Sequence, residues 1–207
     1  MNVFDSSIPG VLRYKVRVHV ATVAVLAAAL AFAGGRAEAA PGVGEPGRLG
    51  LVFETAAEFG GDDILKVLYT NGSTQTIRAG QGVTVGIGVH YQPYSLPIDF
   101  AATVGYKFVR TAAYNTDLGV DRVVVKFTGT YALPNHFWMA AGPVWHTATK
   151  LKGDGYLPDV NFDDSVGGTV GIGWRWIGLT YTNIRYHGAF PGSVDASNEG
   201  VTFAWKF

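Results

Sequence analysis

Acyl transfer by a hydroxyl needs a nucleophile within hydrogen-bond reach of a base, with a third group orienting that base. Past residue 39 the sequence has five serines, Ser73, Ser95, Ser165, Ser193 and Ser197, and four of them fall in turn or loop patterns. A His and a Ser two apart on one strand would share a face, but His146 is followed by Thr147, Ala148 and Thr149. His90 and His187 have no visible partner. The chain has no cysteine, which removes thiol catalysis, Cys-based metal sites, disulfides and a lipidated-Cys anchor. Asp159-x-Asn161-x-Asp163 opens like a calcium loop, yet the sixth position is Asp164 instead of Gly and the twelfth is Val170 instead of Glu. These residues, with Asp154, read as an acidic loop facing solvent. No catalytic residue, cofactor or resident metal is expected.

The charges left over are set in an unusual background. Charged residues make up 15% of the chain against a usual value of roughly 25%, while Gly reaches 28 residues. Net charge is zero, so no basic field draws the chain to nucleic acid. Glu54, Glu58, Lys107, Lys126 and Arg185 sit among Gly and Thr, on the polar faces of segments whose apolar residues recur at every second position.

Eight segments alternate in this way. The apolar sets are Leu51, Phe53, Ala57 and Phe59; Val83 to Tyr91 at odd numbers; Ile98 to Phe108 at even numbers; and Val123, Val125, Phe127 and Tyr131. Met139, Ala141, Pro143 and Trp145 follow, then Val166, Val170, Ile172 and Trp174, then Ile184 and Tyr186, and finally Val201, Phe203, Trp205 and Phe207. Connectors at 92–97, 133–136 and 175–178 are short, whereas those around 111–119, 151–163 and 188–198 are long and carry much of the acidic charge. Asn71-Gly72 is a type I′ turn signal, and it predicts a long first hairpin from strands near 50–70 and 73–91.

Residues 1–39 carry a different pattern. Arg13, Lys15 and Arg17 precede an apolar run at 20–33, and Ala37-Glu38-Ala39 supplies a small-x-small cleavage site. This is the layout of a secretory signal peptide, and the run is short for a membrane-spanning helix of about 20 residues. Cleavage after Ala39 removes four of the 16 basic and two of the 16 acidic residues, leaving a slightly acidic mature chain. Residues 40–47 read as a flexible lead-in and 48–207 as one domain.

Eight antiparallel strands close into a barrel with either face inward. A soluble barrel turns a charged face to water, but the polar faces here hold nine charges in all, Glu54, Glu58, Asp99, Lys107, Arg122, Lys126, Arg175, Arg185 and Lys206. The reverse orientation fits: apolar residues facing lipid with aromatics near strand ends, and small polar residues leaving room inside for a few long ones. The expected fold is all-β, an eight-stranded antiparallel up-and-down transmembrane barrel.

The terminal Phe207, with Phe203 and Trp205 at alternating positions, resembles the C-terminal assembly signal of outer-membrane barrels. In layout and in this signature, residues 48–207 resemble the small eight-stranded outer-membrane proteins, the group that includes OmpX and the transmembrane domain of OmpA. That resemblance implies a Gram-negative outer membrane, export through the periplasm, recognition by the barrel-assembly machinery, contact with lipopolysaccharide, and a monomer. Asp154, Asp159, Asp163 and Asp164 would then stand where they could share divalent cations with lipopolysaccharide phosphates.

An eight-stranded interior is just wide enough for side chains to fill it. Glu54, Glu58, Lys107, Lys126 and Arg185 are therefore expected to pair as a polar plug, since an unpaired buried charge costs several kcal/mol. The expected role is a non-catalytic barrel serving envelope structure or cell-surface interaction. Its first hairpin (60–82) should project with Ile64, Leu65, Val67, Leu68, Tyr69 and Ile77 on it, either adding a partner's strand or packing on neighbouring loops. The alternatives are a lipid A-modifying enzyme, which lacks the nucleophile pattern, and a narrow small-solute or ion channel, which a crowded lumen opposes.

Overall fold

The computed structural model describes residues 13–16, 47–69, 72, 74–94, 96–110, 118–154, 158–188 and 192–207. Most of the expected signal peptide and lead-in, and Asn71 of the turn signal, lie outside these residues. The strands are β1 (Arg13–Val16), β2 (Arg48–Phe59), β3 (Asp63–Tyr69), β4 (Thr74–Arg78), β5 (Gly82–Gln92), β6 (Ile98–Arg110), β7 (Gly119–Ala132), β8 (Phe137–Lys152), β9 (Val160–Asn161), β10 (Ser165–Trp174), β11 (Ile177–Asn183), β12 (Arg185–Tyr186), β13 (Val194–Asp195) and β14 (Asn198–Lys206).

Eight of them, β2, β5, β6, β7, β8, β10, β11 and β14, pair antiparallel in chain order. β8 pairs with β10 and β14 returns to β2, so the sheet closes on itself. The seam is held to its last residue, where Leu51 and Phe207 exchange backbone hydrogen bonds of 3.1 and 2.9 Å. Closure leaves no unpaired edge among the barrel strands, as a spanning sheet in hydrocarbon requires.

The alternation decides which way each strand faces. Leu51, Ile87, Val104, Phe127, Met139, Val170 and Leu179 lie exposed on the outer wall, while Thr84, Asp99, Thr103, Lys107, Arg122 and His146 are buried inside. Tyr91, Tyr131, Phe137, Trp174, Trp176 and Trp205 cluster outward at the short-turn end, and Phe59 and Tyr181 at the loop end. Glycine makes the inward face workable at the short-turn end, where a Cβ on Gly173 or Gly178 would overlap the Trp138 ring. The turn at 175–176 joins the paired residues Trp174 and Ile177, with Arg175 at φ 51, the left-handed conformation that a two-residue hairpin needs.

The first hairpin departs from the expectation of two continuous long strands. β2 ends at Phe59, and Gly60 (φ 129) and Gly61 (φ 82) turn the chain sharply. A Cβ at Gly61 would sit 2.5 Å from Gly80 N and 2.8 Å from Asp195 O, so the two limbs are pinched here against the 194–197 loop. β3 and β4 then form a separate small sheet, with Arg13–Val16 running parallel along the far side of β3. The hairpin folds over the barrel mouth: Leu65, Val67 and Ile77 are almost wholly buried. The side chains of Leu68 and Tyr69 lie outside the described residues.

Ile87 sits midway along β5, paired with Phe53 and Val104 on the outer wall. Ile87→Lys should lower unfolding free energy in lipid vesicles by about 2–4 kcal/mol, the cost of a cation near the bilayer midplane. Equilibrium denaturation in vesicles measures this; a neutral effect would mean that the wall faces water.

Candidate functional site

The lumen is divided along its axis into three zones. Nearest the long loops is an apolar core in which Leu65, Val67, Ile77 and Ala79 of the hairpin meet Val109, Leu118, Val120, Val124, Val144 and Leu151 of the barrel. Phe162, Ile184, Tyr186 and Ala196 complete it from the later loops. A bulge in β8 helps to build this roof. Ala148 takes φ 51 where the β7–β8 register slips, so Thr147 points outward and Thr149 and Leu151 point in. Loop carboxylates tie the roof together: Asp62 accepts the Asp195 backbone N–H at 2.8 Å. Hydrogen bonds from the Ser197 hydroxyl and backbone N–H hold the Asp195 carboxyl below its ordinary range.

Beneath the roof lies a layer of buried charge. Arg122 donates to the backbone oxygens of Ala79 (2.5 Å) and Gln81 (2.6 Å) and lies 5.8 Å from the Tyr186 ring, clamping the hairpin's descending limb into the mouth. Lys107 Nζ stands 3.1 Å from Glu58 Oε2, and Thr84 Oγ1 donates to the same oxygen at 2.5 Å. His146 Nδ1 meets the Tyr186 hydroxyl at 2.6 Å. One level further down, Lys126 pairs with Glu54 across the lumen.

Four of the five residues expected as a plug, Glu54, Glu58, Lys107 and Lys126, thus come together as two ion pairs. Arg185 does not join them. Its side chain is exposed, and the residues that continue the inward series of β11 (Gly178, Thr180 and Thr182) are Ile184 and Tyr186. The apolar residues of this stretch face in because they lie at the loop end, under loops that supply apolar partners. Arg122, on the polar face by its parity, takes the place assigned to Arg185.

The third zone, toward the short turns, is open. A cavity of about 630 Å³ begins below the Glu54–Lys126 pair and reaches the rim formed by Arg48, His136, Arg175 and Lys206. The lumen is therefore filled in its loop-side half and hollow in the other, against the expectation of side chains throughout. Here His90 has a partner after all: its Nδ1 lies 3.3 Å from Asp99 Oδ1, while Lys206 Nζ donates to Asp99 Oδ2 at 2.6 Å. Among the described residues no group hydrogen-bonds to His90 Nε2. The hairpin register offered the signal for this pair, since His90 opposes Ala101 and so lies diagonal to Asp99 on the same face.

The other expected residues lie apart from the lumen chemistry. Phe203 and Trp205 belong to an outer aromatic stack, with Trp205 ring centroids 5.9 Å from Trp176 and 5.8 Å from Phe53, and Phe207 is exposed beside it. Asp159 accepts the Gly153 N–H at 2.9 Å and pairs with Lys150 at 2.7 Å, interactions that hold its carboxyl below the ordinary range. Asp164 accepts from Thr147 at 2.6 Å. Among the described residues no group of three or more acidic or histidine side chains is placed to hold a metal ion.

No family model matches the chain, and no curated protein sequence matches it. Among solved structures it is similar to the crystal structure of Neisserial surface protein A, with a TM-score of 0.42 and 11% identity over 79% of this chain and all of that one.

The charge layer yields a double-mutant test. Lys107→Met leaves Glu58 buried beside Thr84 without its cation, and should cost about 3–5 kcal/mol. Lys107→Met combined with Glu58→Gln should recover more than half of that loss, because the orphaned charge is removed with its partner. Urea unfolding in lipid vesicles reads both.

Proposed function

We propose that this protein is a small non-catalytic outer-membrane barrel that does not conduct, serving envelope structure and presenting its roofed loop end at the cell surface. The observation that carries this reading is the pairing of a hydrocarbon-compatible outer wall with a lumen sealed at one end. The wall argues for lipid outside, because a water-facing wall would not expose Leu51, Ile87, Val104, Val170 and Leu179 together. The seal argues against a pore, because an ion would have to cross both the ion-pair layer and the apolar core of Leu65, Ile77, Val120 and Tyr186.

In this reading the short turns face the periplasm and the long loops face outward, the arrangement usual in such barrels. Phe203, Trp205 and Phe207 serve the barrel-assembly machinery during insertion, lipopolysaccharide surrounds the loop end, and the folded protein is a monomer. The absence of catalysis is supported by the surroundings of the histidines. His146 is buried against Tyr186, and His90 has Asp99 as an orienting group, with no hydroxyl among the described residues hydrogen-bonded to its Nε2. An Asp–His pair without a nucleophile lacks the group that would form the covalent intermediate.

Reconstitution into planar bilayers tests the seal: the intact protein should give no resolved current steps, and openings of reproducible size would replace the reading with a channel. Mass spectra of lipid A from cells with and without the protein should superimpose. A lost or gained acyl chain would restore the enzyme.

A further inference from the structure

The hollow at the short-turn end is not explained by a sealed structural barrel. Inward positions in the loop-side half carry Lys107, Arg122, Val124 and His146, whereas those toward the short turns carry Gly50, Ala101, Ala140, Gly171 and Ala204. The change from long to small residues makes room in a fold whose eight strands are otherwise just filled by side chains. The resulting volume of about 630 Å³ is that of a small-molecule pocket.

Its walls are greasier than the sequence suggests. Of the threonines lining it, Thr169 turns its hydroxyl to Tyr181 O (3.3 Å), and Thr180 and Thr202 bond each other at 3.0 Å. Hydroxyls satisfied within the wall leave methyl groups for the lumen, and the Thr180 methyl lies beside Gly171. Trp138 adds an aromatic face, its Nε1 satisfied by Arg175 O at 2.9 Å. The charges are one-sided. Arg48, Lys126, Arg175 and Lys206 line the cavity against Glu54, with Asp99 behind Lys206. Near the rim, His90 is more than nine-tenths buried, and among the described residues nothing hydrogen-bonds to its Nε2, which packs beside Gly50.

We propose that this cavity binds a single-chain amphiphile with an anionic headgroup, the chain lying among the small residues and threonine methyls and the headgroup at Lys206. The roof makes the site a cup, so the ligand enters and leaves through the short-turn end. The site stands on the lumen geometry; that this end faces the periplasm rests on the membrane reading above.

The cysteine-free chain allows a clean test. Thr128→Cys, in the cavity wall, supplies the sole thiol in protein reconstituted into phosphatidylcholine nanodiscs, with folding checked by heat-dependent gel mobility. A preparation that fails to enter nanodiscs counts against the membrane reading, before any ligand is added. In the inserted protein a small water-soluble thiosulfonate should label the cysteine readily, and dodecanoate at ten times its Kd should slow labelling about tenfold. Acetate should not protect, and dodecanol should protect less. Lysophosphatidate protecting as well as dodecanoate identifies a phosphate-headed lipid as a second source of the same chemistry. Lys206→Gln should bring dodecanoate down to the level of dodecanol. A thiol that resists the reagent without ligand, or one labelled at an unchanged rate in saturating dodecanoate, overturns the proposal. Equal protection by dodecanoate and dodecanol in the Lys206 parent overturns the anionic headgroup. Native mass spectrometry of the unsubstituted protein should retain one dodecanoate per chain, and no retained adduct would count against the site independently of the cysteine.

Discussion

Closure of the backbone hydrogen-bond network is the constraint on which everything else in this barrel depends. Once β14 pairs with β2 and β8 with β10, every barrel strand has two neighbours and no edge remains. The side-chain period of two then splits each strand between two unlike surroundings. With Leu51, Ile87 and Leu179 outside, Glu54, Lys107 and Arg122 have nowhere to go but the lumen. Eight strands enclose too little space for those charges to keep full hydration shells. The ion pairs Lys107–Glu58 and Lys126–Glu54 are thus a consequence of strand number as much as of residue choice.

The loop end follows from a second use of the same rule. At the loop end the barrel mouth is covered by the hairpin and the later loops, so apolar residues find apolar partners inside. Val109, Val120, Leu151, Ile184 and Tyr186 instead turn inward and receive Leu65, Val67 and Ile77 from the hairpin. Arg122 joins the two regimes. Its guanidinium belongs to the charge layer, yet its hydrogen bonds go to Ala79 O and Gln81 O, carbonyls at the hairpin base that would otherwise be buried beside apolar side chains. Burying a charge there offsets the cost of burying those backbone groups.

What could be read from sequence depended on range. Strand number, the closed fold and the facing of every segment but the one at Ile184 and Tyr186 are legible because alternation is local and repeats along the chain. Glu54, Glu58, Lys107 and Lys126 were assigned inward correctly by parity alone, but which carboxylate meets which lysine was not readable. Glu54 and Lys126 lie 72 residues apart on β2 and β7, and they meet only across the closed lumen. Arg185 was misplaced because the alternation around it was taken to mean lipid outside, at a level where the neighbour is the loop core. The pair of His90 and Asp99 is readable in principle from the short connector between β5 and β6, which sets His90 opposite Ala101, but only once that register is known.

The hollow half of the lumen was the least legible feature, and the reason is physical. Thr and Gly on an inward face are compatible with a cramped interior and with an empty one. The difference lies in what crosses from the opposite wall. In the loop-side half, long residues such as Lys107, Arg122 and His146 cross over small neighbours and fill the space. Toward the short turns Trp138 is the large residue that does so, lying against Gly173 and Gly178, and it leaves the volume beside Ala101, Thr103 and Thr128 unfilled. A cavity walled by methyl groups contributes little to fold stability, because its lining atoms lose dispersion partners on one side. A filled half and a hollow half within one barrel thus follow from which inward positions carry long residues and which carry small ones.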